Sequence, residues 1–300
     1  MKSLIRFFKY AAVGLIGTVV LLTVCGLIEP RFVNRVDEIA QIPNLPPEWE
    51  GKKVVQLSDF QVGLWLDNSG TAKRAVQRAI EAEPSVVLIS GDFIYHPGPN
   101  STDEIETAVE IVRPLIESGI PTYAVLGNHD YGMGSKTADP DEGLAMNLKV
   151  ALEDAGIVVL ENESVEMTLP DSTGINRSLY LAAVGSLWAG KADISAALSN
   201  IPEDAPRVAL MHNPDSYENF PPSTAPLAVA GHTHGGQIRL PNSPQVSWLR
   251  FTQRDEVHAD GWAQGYGAPG NKLYVNVGIG MSIVPIRIFC PPELTIFTLE

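Results

Sequence analysis

Four short loops gather most of the chemistry-bearing side chains of this chain: Leu57-Ser-Asp-Phe-Gln61, Ser90-Gly-Asp92, Gly127-Asn-His-Asp130 and Gly231-His-Thr-His234. A fifth, Met211-His-Asn-Pro-Asp215, belongs with them. Only six histidines occur in the chain, and four of them lie in these loops. Carboxylate oxygens, an amide oxygen and imidazole nitrogens are a donor set for divalent cations, and bound cations support hydrolytic chemistry.

Such donors must be brought together by the elements that carry them. Each loop follows a short apolar run that reads as a buried strand: Val54-Val-Gln-Leu57, Val86-Val-Leu-Ile89, Tyr123-Ala-Val-Leu126, Val208-Ala-Leu-Met211 and Leu227-Ala-Val-Ala230. Ligands delivered from successive strand ends converge on one edge of a sheet, where α/β proteins place their sites. Between the strands, Thr71–Ala82 and Leu144–Ala155 have helical spacing. Ser101-Thr-Asp-Glu104 has capping-box spacing and opens a helix to about Glu117, with Pro114 in its last turn. This alternation predicts a largely parallel sheet covered by helices. The second half adds strands at Val158–Leu169, Leu179–Val184, Gln237–Leu240, Leu273–Val277 and Glu293–Leu299, a turn at Asp171–Gly174 and a helix at Ala192–Asn200. Pro241–Gly270, with Trp248, Phe251, Trp262 and Tyr266, reads as a long loop region.

Asp59, Gly91-Asp92, Gly127-Asn-His-Asp130, His212 and Gly231-His-Thr-His234 resemble the motif set of calcineurin-like metallophosphoesterases, from about Lys52 to the C-terminus. Gly231–Pro241, Val277-Gly-Ile-Gly280, Arg287 and Pro291-Pro-Glu293 further resemble a membrane-associated branch that includes hydrolases of UDP-2,3-diacylglucosamine. The resemblance implies a four-layer α/β/β/α sandwich of two mixed sheets. It also implies two divalent cations, among which iron, zinc and magnesium are possible and manganese is favoured by the oxygen donor that Gln61 would add. Asp92 would bridge them. One cation would take Asp59, Asp92, His234 and Gln61, and the other Asp92, Asn128, His212 and His232. His129 would be the general acid, with Asp130 orienting its ring. His232 and His234 alternate, so a turn is needed for each to meet its own cation.

One position departs from the family pattern. The first motif is usually Asp-x-His, and here it is Asp59-Phe60-Gln61. A glutamine carbonyl is neutral like an imidazole but harder, which suits Mn²⁺ or Mg²⁺ better than Zn²⁺. Gln61 either ligates a cation or hydrogen-bonds beside one. Other candidates have bland readings of equal or greater weight: His96 as a substrate contact or a loop histidine, His258 as a solvated residue, Arg239 and Arg287 as phosphate or ordinary ion-pair partners. Leu64-Trp65-Leu66 would contact an acyl chain or pack in the core.

The N-terminus reads as a membrane segment. Tyr10–Ile28 carries no charge, and Lys2, Arg6 and Lys9 precede it. Ala11–Ile28 would span about 27 Å as a helix, against about 30 Å of hydrocarbon. A cleaved signal would usually have a shorter apolar region and an Ala-x-Ala site, and a lipoprotein signal at Cys25 would not favour Val24. Basic residues before the segment slightly outnumber those after it, which favours a catalytic domain outside the cytoplasm. The chain thus divides into a basic flank (1–9), an anchor (10–28), a Pro-rich tether (29–51) and a catalytic domain (52–300). Cys25 and Cys290 are not expected to pair.

A net charge of −14 argues against a phosphate-backbone partner such as nucleic acid. The reading is therefore a membrane-anchored, dimetal phosphohydrolase acting on a phosphoester or pyrophosphate, with a lipid-linked substrate and the membrane as its partners. Two alternatives stand beside it: the same chemistry on soluble nucleotides or phosphoproteins, and a non-catalytic metal-binding scaffold in which Gln61 marks decay of the site.

Overall fold

The computed structural model describes residues 2–95, 101–169, 178–241, 243–248 and 260–300. In chain order the elements are α1 (Lys2–Ile28), β1 (Asn34–Ala40), β2 (Lys53–Leu57), α2 (Ser69–Glu81), β3 (Val86–Ile89), α3 (Ser101–Glu117), β4 (Thr122–Ala124), α4 (Glu142–Asp154), β5 (Val158–Val159) and β6 (Glu163–Met167). They continue with β7 (Leu179–Ala183), α5 (Ile194–Leu198), β8 (Arg207–Leu210), β9 (Leu227–Ala230), β10 (Arg239–Leu240), β11 (Ser243–Ser247), β12 (Gly261–Trp262), β13 (Leu273–Val275) and β14 (Glu293–Leu299).

Two mixed sheets face each other, in the orders β1-β14-β2-β3-β4-β5 and β12-β13-β9-β8-β7-β6. Strand periodicity explains the layering, because alternate residues point to opposite faces. Val54, Val86 and Leu88 meet Val208, Leu210, Leu227 and Val229 between the sheets. Their neighbours Val55, Leu57, Val87 and Ile89 pack outward against α2, α3 and α4. Ala209, Ala228 and Ala230 pack outward on the far side, beside Ala197 of α5. Strands buried on both faces are apolar throughout, which is why they read as uninterrupted runs. The result is the expected four-layer α/β/β/α sandwich, preceded by one apolar helix long enough to cross a membrane.

The strands β2, β3 and β4 run parallel, as do β7, β8 and β9. Their C-terminal ends therefore emerge together. At this edge Gln56 donates across the gap between sheets to the Ala230 carbonyl at 2.8 Å, and to Ser90 Oγ at 3.0 Å.

Three expectations need correction. The stretch 29–51 is not a free tether: β1 pairs in parallel along β14, and Ile42 and Trp49 are buried in the inter-sheet core. Val158–Leu169 is not one strand. β5 ends the first sheet and β6 begins the edge of the second, and the turn between them rests on Asn162 at φ 55°. The side-chain oxygen of Asn162 accepts from Gly185 N and Asp193 N, which fixes the step between sheets. Within Gln237–Leu240, only Arg239–Leu240 is strand, and it pairs with β11 rather than with either sheet. The expected turn at Asp171–Gly174, and the candidates His96, Phe251 and His258, lie outside the described residues. Both cysteines are free.

Candidate metal centre

Five loops leave the ends of β2, β3, β4, β8 and β9 and meet in one buried cluster. Two groups of donors form there, Asp92 with His212 and His232, and Asp59 with Asp92 and His234. Within each group the donor atoms lie within 4.8 Å of one another, and Asp92 belongs to both. His212 Nε2 is 3.4 Å from Asp92 Oδ2, 3.0 Å from Asn128 Oδ1 and 3.2 Å from His232 Nδ1. His234 Nε2 is 3.6 Å from Asp59 Oδ1.

Neighbouring groups aim these atoms. His212 Nδ1 lies 2.7 Å from the Ser90 carbonyl oxygen, so it carries the proton and Nε2 turns a lone pair to the cluster. The Asn128 amide donates to the Met133 carbonyl at 2.7 Å, which turns its oxygen inward. Asp59 accepts from Ser58 Oγ at 2.5 Å and, with both oxygens, from His232 N at 3.1 Å. Asp59, Gln61, Asp92, His232 and His234 all hold left-handed backbone conformations, with φ between 47° and 71°. Each costs about 1–3 kcal/mol outside glycine, and such strain concentrates at functional sites. The turn at His232–His234 gives each histidine a different group, as the spacing required. Gly127 lies so close that a Cβ there would sit 2.1 Å from Asp92 Oδ1 and 2.7 Å from His212 Cε1.

Lone pairs converging in a buried space require positive charge. Burial lowers the pKa of His212, but Asp92 and Asp59 outweigh it and push it up to about 9. Burial and the charge of Asp92 raise Asp59, against the pull of His212. His234 Nδ1 and Gln61 Oε1 are buried without a hydrogen-bond partner. This is the donor chemistry of a two-cation site. Gln61 Nε2 lies 2.8 Å from Asp92 Oδ2 and 3.4 Å from His234 Nε2. Rotating the amide by half a turn brings Oε1 to the same point.

His129 sits beside the shared carboxylate, and its backbone N–H donates to Asp92 Oδ1 at 2.9 Å. Its ring partner differs from the expected one. Nδ1 is 2.6 Å from the Tyr95 carbonyl oxygen, and the Tyr95 ring stacks on the imidazole at 4.8 Å. Asp130 instead accepts from the backbone N–H groups of Asp92, Phe93, Ile94 and Gly127 at 2.8–3.2 Å. It clamps two loops together. Asp130→Ala should therefore lower folding stability by about 3 kcal/mol or more, because several buried donors lose their acceptor. A urea midpoint shift at unchanged m measures this; a loss below about 1 kcal/mol would contradict the clamp.

Several residues at the mouth had no sequence signal of their own. Tyr95, Trp188, Ser282 and Ile283 line it with His129, His232 and His234. Trp188 meets the His232 ring edge-on at 4.7 Å, and Lys136 lies over the Trp188 ring. Trp188 follows the end of β7, the same edge as the motif loops, and that position was the available clue. Arg287 is fully buried and committed to backbone: it donates to the carbonyls of Val277, Gly278, Gly280 and Cys290. Arg239 pairs with Asp260. Leu64 is core, whereas Trp65 is exposed. Trp262 packs edge-on against Tyr274 and Phe297.

Residues 52–236, more than half of the chain, match the calcineurin-like phosphoesterase family. The chain is 26% identical to the uncharacterized metallophosphoesterase YkuE of Bacillus subtilis, covering 91% of this chain and 87% of that one. It is 30% identical to the phosphodiesterase YaeI of Escherichia coli, covering 82% of each. It is 23% identical to the UDP-2,3-diacylglucosamine pyrophosphatase LpxG of Chlamydia muridarum, covering 90% of each.

Proposed function

The chain belongs to the calcineurin-like phosphoesterase family and is a metal-dependent phosphoric ester or anhydride hydrolase; from that premise we propose that it cleaves a phosphoester or pyrophosphate bond of a lipid-linked substrate while α1 holds it in a membrane. The observation that carries the chemistry is Asp92, common to two buried donor groups with His129 beside it. The apolar α1 and the similarity to LpxG, whose name records a diacylated substrate, support the lipid-linked class.

In this reading Asp59, Asp92, His234 and Gln61 would hold one cation, and Asp92, Asn128, His212 and His232 the other. Bound cations supply a nucleophile from water at neutral pH and neutralise the phosphate oxygens. His129 delivers a proton from Nε2 to the departing oxygen, its ring held by the Tyr95 carbonyl. Asp130 keeps the Asp92 and Asn128 loops in register.

Two experiments test this. Chelation followed by dialysis should abolish hydrolysis of an aryl phosphodiester, and Mn²⁺ should restore it better than Zn²⁺. Gln61→His should move that preference toward Zn²⁺, as nitrogen replaces a harder oxygen. Full activity in excess chelator would contradict the reading. The substrate class is tested with the full chain in vesicles, offered a nucleotide-linked acylated sugar, phospholipids and soluble nucleotides. Faster turnover of soluble nucleotides would reject the lipid-linked class. In this proposal the catalytic domain lies outside the cytoplasm, the side that the small excess of basic residues before α1 favours, and protease accessibility in intact cells decides it.

A further inference from the structure

We propose that the catalytic domain rests on the bilayer through an apolar rim at the mouth of the metal centre, formed by Phe32, Trp65, Trp248, Ile283 and Phe289. The site would then receive its phosphate group at headgroup depth. The inference builds on the reading of α1 as a membrane helix.

The end of α1 is fastened to the domain. Gly26 O accepts from Arg287 N at 3.0 Å, and the Glu29 carboxylate accepts from Phe289 N at 3.0 Å and Cys290 N at 2.5 Å. Gly26 allows this approach, since a Cβ there would lie 3.0 Å from Ile288 Cγ1. Gly26 is two residues from the end of α1, about 3 Å along the axis. The segment Ile286–Cys290 is therefore level with the end of the apolar helix, at the boundary of the hydrocarbon if α1 spans it.

The same segment leads to the metal centre. Ile283 lines the mouth with Asp92, Tyr95, His129 and His232. Its N–H donates to Tyr95 Oη at 3.0 Å, and Trp65 Nε1 donates to its carbonyl at 3.4 Å. On the other side Ile288 runs beside Ile238, whose carbonyl accepts from Trp248 N at 2.8 Å. Phe32 caps the single turn Glu29–Arg31 that follows α1. Anchor end, rim and mouth are thus one connected surface.

The side chains on it suit an interface between water and lipid. Phe32, Trp65, Trp248, Ile283 and Phe289 are 65%, 72%, 42%, 48% and 46% exposed. Among the described residues outside α1, every exposed phenylalanine or tryptophan is on this rim. Single exposed apolar residues are ordinary, but aromatic residues gathered beside a membrane helix are the pattern of a headgroup belt. Ile283 and Phe289 also hold φ of 63° and 55°, conformations that bulky residues avoid in ordinary loops. The bilayer is the occupant that the continuity with α1 selects.

The test uses the full chain reconstituted in vesicles whose phospholipid is brominated near the carboxyl end of one acyl chain, where bromine quenches tryptophans that touch it. Trp65→Phe should remove a large part of the quenching, and Trp65→Phe with Trp248→Phe nearly all of it. Trp49, Trp188 and Trp262 are buried or half-buried and should contribute little. Fractional quenching equal to wild type in the double variant, or no quenching in the wild type, would overturn the proposal. Failure of the protein to float with the vesicles would overturn both the anchor and the rim. Turnover measured in the same vesicles separates the substrate question: quenching without lipid turnover keeps the rim and rejects the lipid-linked substrate, and lipid turnover without Trp65 quenching rejects the rim alone.

Discussion

Asp92→Ala is expected to lower kcat/KM on any phosphoester by about 10³–10⁴-fold, the largest effect of any single ligand change. Losing cation-based charge stabilisation removes several kcal/mol from the barrier reduction, and each 1.36 kcal/mol is about tenfold. The reason is position. Asp92 is the one carboxylate common to both donor groups, and it also receives the His129 backbone N–H and the Gln61 amide. Its removal disturbs both cation positions and the placement of the proton donor at once. His234→Ala, which touches one group only, should cost less. Steady-state kinetics with metal content measured on the same samples checks this. A variant within tenfold of wild type would contradict the sharing of Asp92.

His129→Ala should act differently. The ring lies beside the cluster but in neither donor group, and its Nδ1 is committed to the Tyr95 carbonyl. Its loss should lower kcat by about 10²–10⁴-fold, the range for removal of a positioned proton donor, with both cations retained. Substrates with good leaving groups should lose least, because they need the proton least. Elemental analysis separates the cases: loss of a cation would make His129 a ligand or a support. Equal losses across leaving groups would argue against proton transfer.

Much of this arrangement was legible because the chain repeats one device. A fully buried apolar strand such as Val86–Ile89 is followed at once by donors, and parallel strands bring such ends together. The parts that escaped reading have no local signal. Strand β1 is mostly exposed and has no apolar run, and its place is set by pairing with β14 at the far end of the chain. The break between β5 and β6 depends on one left-handed Asn162 within an otherwise strand-like stretch. The carbonyl of Tyr95 orients His129 through the backbone, and a backbone acceptor leaves no trace in residue type. Asp130 looked like a ring partner because it adjoins His129, yet adjacent side chains on a tight 3-10 turn point apart. It serves the loops instead.

The shared carboxylate remains the centre of the account. Its most direct measurement is the stoichiometry and magnetic coupling of Mn²⁺ bound to the full-length protein, by elemental analysis and electron paramagnetic resonance. Two ions per chain with a spin-coupled spectrum, lost in Asp92→Ala, is the expected result. One ion per chain, or two ions without coupling, would contradict it.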